Sequence, residues 1–290
     1  MQNYTLPPIS GLDPKLYLPE GTALVLEGGG TRGFFSCGIF EAFMETGIMF
    51  LYISGISAGA ANALSYMSGQ RFRSRQIVEN YVGNPKYVSK RNLLLHRSMF
   101  DFKFIFGEVP NRHIFFDWDV LLRQNISYNS GAFDCETGET VWHTLEDIQN
   151  RDFTSVVASC SVPVLCPVVN YKGKKLLDGG VACPIPIEKS IADGNKFHVI
   201  VLTRNADYQS VPDKTAKYAK TLLRRYPKVY DALEIRHERY KEQIKLCEEL
   251  EREGKALIIR PQKPLSISRT NTDIVPINNI LFLNFKFLQK

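Results

Sequence analysis

Several features that would assign a class outright are missing from this chain. No run of about 18 apolar residues occurs, so no transmembrane helix is expected. The first twenty residues hold Pro7, Pro8 and Pro14 but no apolar stretch, which is not the pattern of a secretory signal. Cysteine is scarce, with six residues at 37, 135, 160, 166, 183 and 247 and no C-x-x-C pair. That spacing argues against a zinc site, and reduced thiols in a cytoplasm are the expectation. No zinc finger, aromatic RNA-binding motif or long basic run is present, so no nucleic-acid partner is expected. Internal repeats and low-complexity segments are also absent. What remains is an ordinary globular composition, 44% hydrophobic and 23% charged, with a net charge of +6. This excludes disorder and fibrous repeats, and the mild positive charge permits anionic partners without requiring them.

The order of patterns along the chain points to an α/β fold. Residues 22–27 form a short apolar run that ends in three glycines, and 34–46 carry apolar residues at helical spacing up to Gly47. Residues 49–54 read as a second strand and 58–67 as a helix of small residues. Strand, glycine turn and helix, given twice, predict a layered fold with a largely parallel sheet. Hairpins are expected at 132–135 with 139–143, and at 168–171 with 175–177 around Gly173. Helices are expected at 144–150 and 153–160, and the clearest buried strand at 197–203. Residues 213–253 read as charged helix broken at Pro227, followed by a last strand at 256–260. No segment has the composition of an interdomain linker. The organisation expected is an N-terminal arm (1–20), a core (21–210) and a charged helical extension (211–290) packed on the same domain.

Three motifs carry chemistry. The first, Gly28-Gly29-Gly30-Thr31-Arg32-Gly33, lies between a strand and a helix and literally matches G-x-G-x-x-G. A dinucleotide site also needs an acid at the end of the next strand, and Ser54-Gly55-Ile56-Ser57 supplies none. The other chemistry of such a turn is anion stabilisation by free amides at a helix start. The second, Gly55-Ile56-Ser57-Ala58-Gly59, matches the G-x-S-x-G nucleophile elbow, with an apolar strand before it and a helix after. A simple N-cap role for Ser57 is the plainer alternative. The third is Asp178-Gly179-Gly180, which taken alone is more often a turn. Of the five histidines only His198 and His237 follow Asp178, one opening a strand and the other inside a charged helix. A histidine-free pair of Ser57 and Asp178 is therefore the expected machinery, with the carboxylate as base.

Together these motifs resemble the patatin-like phospholipase family, which carries a G-G-G-x-R-G motif, a G-x-S-x-G elbow and a D-G-G motif in this order. Ala158-Ser159-Cys160-Ser161-Val162-Pro163 is similar to a further segment of that family, and the likeness spans about residues 22–205. The resemblance implies a three-layer α/β/α core and a serine acyl-enzyme mechanism that needs no metal or cofactor. It implies Ser57 as nucleophile, Asp178 as base, and the amides of Gly28, Gly29 and Gly30 as the oxyanion hole. Arg32, Gly33, Gly55, Gly59, Gly179 and Gly180 are implied as supporting residues; Arg32 is expected to fix the loop or a lipid phosphate, with a structural salt bridge as the plainer alternative. The implied activity is acyl-ester hydrolysis of a phospholipid or lysophospholipid. The alternatives are a carboxylesterase or acyltransferase on other acyl groups, or a silent lipid-binding scaffold.

The expected partners are a lipid or acyl-ester substrate and a membrane touched peripherally, at its inner surface if the protein is cytoplasmic. Residues 97–106 mix aromatics with Arg97 and Lys103, and residues 214–228 hold six basic side chains and no acid. Either region suits an anionic interface, and the aromatic one equally suits an acyl pocket. The apolar tail, 278–290, departs from the acidic amphipathic helix expected in such relatives, so a truncated, rearranged or membrane-touching end is expected there.

Overall fold

The computed structural model describes residues 16–287, with side chains for 17–281. Ten strands occur among the described residues. They are β1 Leu16–Tyr17, β2 Thr22–Leu26, β3 Ile48–Met49, β4 Tyr52–Ile56, β5 Ser127–Asp134, β6 Thr140–His143, β7 Val169–Tyr171, β8 Lys174–Asp178, β9 Phe197–Val201 and β10 Ala256–Ile259. The α-helices are α1 Phe34–Thr46, α2 Ala58–Met67, α3 Arg73–Ile77, α4 Lys90–His96, α5 Trp118–Arg123, α6 Thr154–Cys160, α7 Ile187–Ala192, α8 Ala216–Leu222, α9 Pro227–Arg252 and α10 Ile274–Phe287.

The main sheet runs β10-β9-β2-β4-β5-β8-β7, with β6 also paired to β5. From β10 to β5 all neighbours are parallel, and β8, β7 and β6 add antiparallel pairs at the other end. The continuous apolar run of β2 follows from its place at the centre of a sheet covered on both faces. Leu24 and Leu26 point into a core shared with α1 and α2, whereas Ala23 and Val25 point into one shared with Ile187 of α7 and Tyr240 and Cys247 of α9. Strand alternation thus generates the three layers, helix, sheet and helix, that the family resemblance implies.

Local signals set the ends of the elements. Gly47 closes α1 in the left-handed conformation (φ 74°), and Pro227 stands at the start of α9, where its missing N–H costs nothing. β5 begins at Ser127, five residues before the expected strand. Ser127-Tyr128-Asn129-Ser130-Gly131 is too polar to read as central strand, yet it pairs fully with β4. The expected helix at 144–150 is a 3₁₀ turn, Leu145–Ile148, held by a capping box of Thr144 and Asp147.

Most of the expected N-terminal arm lies outside the described residues, and β1 at its end pairs with β3. The apolar tail forms α10, whose Ile277, Ile280 and Leu281 join the core around α1. Up to Leu281 its apolar character is therefore explained by packing, and the rest of the tail's side chains lie outside the described residues.

Candidate active site

The two glycine turns leave the carboxyl ends of the neighbouring parallel strands β2 and β4, where ligands gather in α/β sheets. At the second turn Ser57 adopts φ 54° and ψ −126°, a positive φ that costs a non-glycine residue about 1–3 kcal/mol. Two glycines allow the packing that holds it. A Cβ on Gly55 would lie 2.7 Å from the Ala60 nitrogen, and one on Gly59 would lie 2.7 Å from the Glu27 carbonyl oxygen. Helix α2 can therefore start directly against β4 and β2. Ser57 occupies the N-cap position of α2, but its hydroxyl caps no amide. Instead Ser57 Oγ donates to Asp178 Oδ2 at 2.6 Å.

Asp178 ends β8, across the sheet from Ala132 of β5. Its other oxygen, Oδ1, accepts from the Gly180 amide at 2.7 Å. Gly179 must lack a side chain, because a Cβ there would collide with the Gly131 carbonyl. Burial pushes the Asp178 carboxyl above its ordinary range, opposed by the Ser57 and Gly180 hydrogen bonds and by the charges of Arg236 and Arg269. The Ser57 amide donates to Ser159 Oγ at 2.9 Å, and Ser159 Oγ donates onward to the Gly131 carbonyl at 2.6 Å. A fully buried serine on α6 thus fixes the strained turn.

The first turn faces the same cavity. Gly30 takes a positive φ of 58° and opens the 3₁₀ turn Gly30–Gly33 that leads into α1. The loop is tied down by Thr203 Oγ1 donating to the Gly28 carbonyl at 3.0 Å and by the Thr31 amide donating to the Arg269 carbonyl at 3.0 Å. Among the described residues none accepts a hydrogen bond from the amides of Gly28, Gly29 or Gly30. Gly33 lies against Ala58, and its carbonyl accepts from Asn62 Nδ2 at 2.9 Å. Arg32 is buried, and its Nε has no partner among the described residues. Burial, with Arg204 and Arg269 nearby, lowers its pKa to about 10. Glu27, the nearest candidate for a salt bridge, instead accepts from the Thr203 amide and hydroxyl.

Ser57 stands between two cavities. One is lined by the glycine loop, Arg32, Asp178, Gly180, Arg236 and Arg269. The other is apolar and is lined by Phe34, Tyr87, Phe100, Phe102, Ile105 and Phe106. The aromatic stretch thus turns inward and only Lys103 of its central part is exposed. No histidine lines either cavity. His198 is buried and paired with Ser190, and His237 Nδ1 meets the Glu234 carbonyl. No group of three or more His, Cys, Asp or Glu side chains among the described residues is arranged for a metal ion.

Three contributors carry no isolated signal in the sequence. Ser159 belongs to the Ala158–Pro163 segment but its role depends on where α6 packs. Arg236, whose Nε donates to the Gly180 carbonyl at 2.5 Å, is one of many charges on α9. Arg269 reaches the cavity from an irregular segment near the end of the chain.

A family model described as patatin-like phospholipase matches residues 24–190, and a second, a domain of unknown function (DUF6363), matches residues 226–279. The lysophospholipase NTE1 of Scheffersomyces stipitis is 32% identical over 195 residues, 65% of this chain but 12% of that protein. The uncharacterized protein YjjU of Escherichia coli is 25% identical over 69% of this chain and 56% of its own length. Among solved structures, VipD from Legionella pneumophila aligns over 93% of this chain and 67% of its own, at 14% identity and a TM-score of 0.40. The aligned part of this chain thus spans about an eighth of the lysophospholipase and just over half of YjjU. The chain belongs to the patatin-like phospholipase family, a family of lipid acyl hydrolases.

Proposed function

We propose that the protein hydrolyses acyl esters of phospholipids or lysophospholipids through a Ser57–Asp178 dyad. The observation that carries this reading is the 2.6 Å hydrogen bond from Ser57 Oγ to a buried carboxylate, made at a strained elbow beside three free glycine amides. Asp178 takes the hydroxyl proton as Oγ bonds to the ester carbonyl carbon. The carbonyl oxygen becomes negative and is held by the amides of Gly28, Gly29 and Gly30. The bond to the glycerol oxygen then breaks, and Asp178 returns the proton to that leaving oxygen. Water, deprotonated by Asp178, attacks the acyl-serine and releases the fatty acid and Ser57. The apolar cavity of Phe100, Phe102 and Phe106 suits the acyl chain, and the arginine-lined cavity suits the head group. No metal or cofactor enters these steps.

Residues 21–210 form the catalytic core in this reading, and the described part of the 211–290 extension packs on it as one domain. Arg236 and Arg269, both from the extension, line the site. Six unpaired cysteines suit a reducing compartment, so we place the enzyme in the cytoplasm, touching the membrane peripherally. No helix among the described residues is long and apolar enough to cross a membrane.

The test is fluorophosphonate labelling with peptide mapping. Stoichiometric labelling of Ser57 is expected, absent in Ser57→Ala and slowed about 10²–10⁴-fold in Asp178→Asn, the usual worth of a positioned base. A folded wild-type protein that does not label, or an Asp178→Asn protein that labels at the wild-type rate, would overturn the dyad.

A further inference from the structure

Helix α4 is amphipathic in the wrong sense for a helix packed on a protein core. Its buried residue is Asn92, whose Nδ2 donates to the carbonyls of Pro85 and Lys86, both at 3.0 Å. Two of its three leucines face water instead, while Leu93 is half-buried. Leu94 is 85% exposed and Leu95 62% exposed. Adjacent exposed leucines on one short helix are an apolar patch that a soluble surface has no reason to keep. Lys90, Arg91 and Arg97 surround them, all exposed, and no acid lies between residues 88 and 100.

This helix is joined to the site. The Ser89 amide, just before it, donates to the Met99 carbonyl at 3.0 Å, and the Met99 amide donates to the Leu165 carbonyl at 2.6 Å. The next residue, Phe100, lines both cavities beside Ser57. A second segment of the same character also borders the cavity beside Ser57. Thr215 lines the arginine-rich cavity, and α8 after it exposes Tyr218 and Leu222 among Lys217, Lys220, Arg224 and Arg225.

We propose that α4, together with α8, is the surface on which the protein sits on an anionic phospholipid bilayer. The leucines enter the acyl boundary, the basic side chains meet the lipid phosphates, and the cavity lined by Phe100 and Thr215 opens toward the lipid. Resting on the lipid-hydrolase reading above, this surface explains how an ester embedded in a membrane reaches a buried serine. It also narrows the substrate to lipid presented in negatively charged membranes. A neutral bilayer would satisfy the leucines but leave the flanking cations without counter-charge.

Co-sedimentation with phosphatidylcholine vesicles, with and without phosphatidylglycerol, tests this directly and needs no turnover. The wild type is expected to bind the phosphatidylglycerol vesicles, less so as salt is raised, and to bind pure phosphatidylcholine weakly. Leu94→Ser/Leu95→Ser should weaken binding by about tenfold or more, because two leucines no longer leave water. The same variant should keep wild-type Ser57 labelling and wild-type turnover of a soluble short-chain ester, since neither leucine is buried in the fold. Unchanged vesicle binding by the double variant would overturn the proposal. So would a wild type that ignores both vesicles, or light scattering showing that these leucines instead join two copies of the chain. If the protein binds vesicles as expected but Ser57 does not label, the surface stands and the dyad falls.

Discussion

Replacing Ser159 with alanine tests whether the geometry of Ser57, the proposed nucleophile, is imposed from outside its own turn. Ser159 Oγ accepts from the Ser57 amide and donates to the Gly131 carbonyl, and no part of Ser159 is exposed. The substitution leaves a buried N–H and a buried C=O without partners, at about 1–3 kcal/mol each. Partial relaxation of the Ser57 backbone recovers some of this, since its positive φ itself stores about 1–3 kcal/mol. The net expectation is a loss of about 2–4 kcal/mol. At about 2–4 °C per kcal/mol for a domain near this size, the melting temperature should fall by about 4–16 °C. That relaxation also swings Ser57 Oγ away from Asp178, so fluorophosphonate labelling should slow by about tenfold or more, as a misplaced reacting group does. Scanning calorimetry and labelling kinetics on one preparation read both effects. Ser159→Cys, which keeps a weak donor and acceptor, should fall between the two. A melting temperature unchanged from wild type would refute the burial argument. A lower melting temperature with wild-type labelling would refute the claim that Ser159 positions the nucleophile.

Other expectations follow from the same contacts. Asp178 must be ionised to act as a base, and burial raises its pKa, so the labelling rate should climb with pH through a midpoint above the ordinary aspartate value of 3.8. Arg236→Met removes a charge that favours ionised Asp178 and should move that midpoint higher, whereas Arg236→Lys should move it less. A pH–rate profile measures both. Gly59→Ala puts a methyl against backbone carbonyls of Glu27 and Leu26 and should destabilise the fold by about 1–3 kcal/mol in denaturant melts. Glu41 is buried, accepts from the Phe72 amide at 2.7 Å, and titrates at about 7 rather than 4.5, chiefly through burial. Its folded pKa is raised, so its stabilising contribution is complete below 4.5 and is lost as pH rises toward 7, by up to about 3 kcal/mol. Glu41→Gln should flatten this dependence and melt higher than wild type at pH 8. A wild-type stability that does not fall over this window would refute the assignment.

The legible parts of the molecule were those where neighbouring residues settle the outcome. The run 22–26, the glycines on either side of Ser57, Gly47 after α1 and Pro227 before α9 each act within a few positions of themselves. The strand–turn–helix order and both glycine turns followed from these. β5 was only half legible, because Ser127 to Gly131 carry no strand-like alternation and are held in the sheet by their pairing with β4. Residues 97–106 read equally well as surface or as pocket. Phe100, Phe102 and Phe106 are turned inward because the cavity beside Ser57 accepts them, while α4 just before them keeps Leu94 and Leu95 outside.

What the sequence determined by itself was the local chemistry. It specified which turns bend sharply, where a serine can stand exposed on one, where amides can be left free, and that an aspartate begins a glycine turn. The tertiary structure decided which of these groups meet. Ser57 and Asp178 are 121 residues apart, and they touch because β8 closes on β5 while β5 lies beside β4. Ser159 reaches the Ser57 amide only through the packing of α6, and Arg236 reaches Gly180 only because α9 returns across the sheet. Hydrogen bonds and charges act over a few ångströms of space, and strand order, not position along the chain, sets that distance.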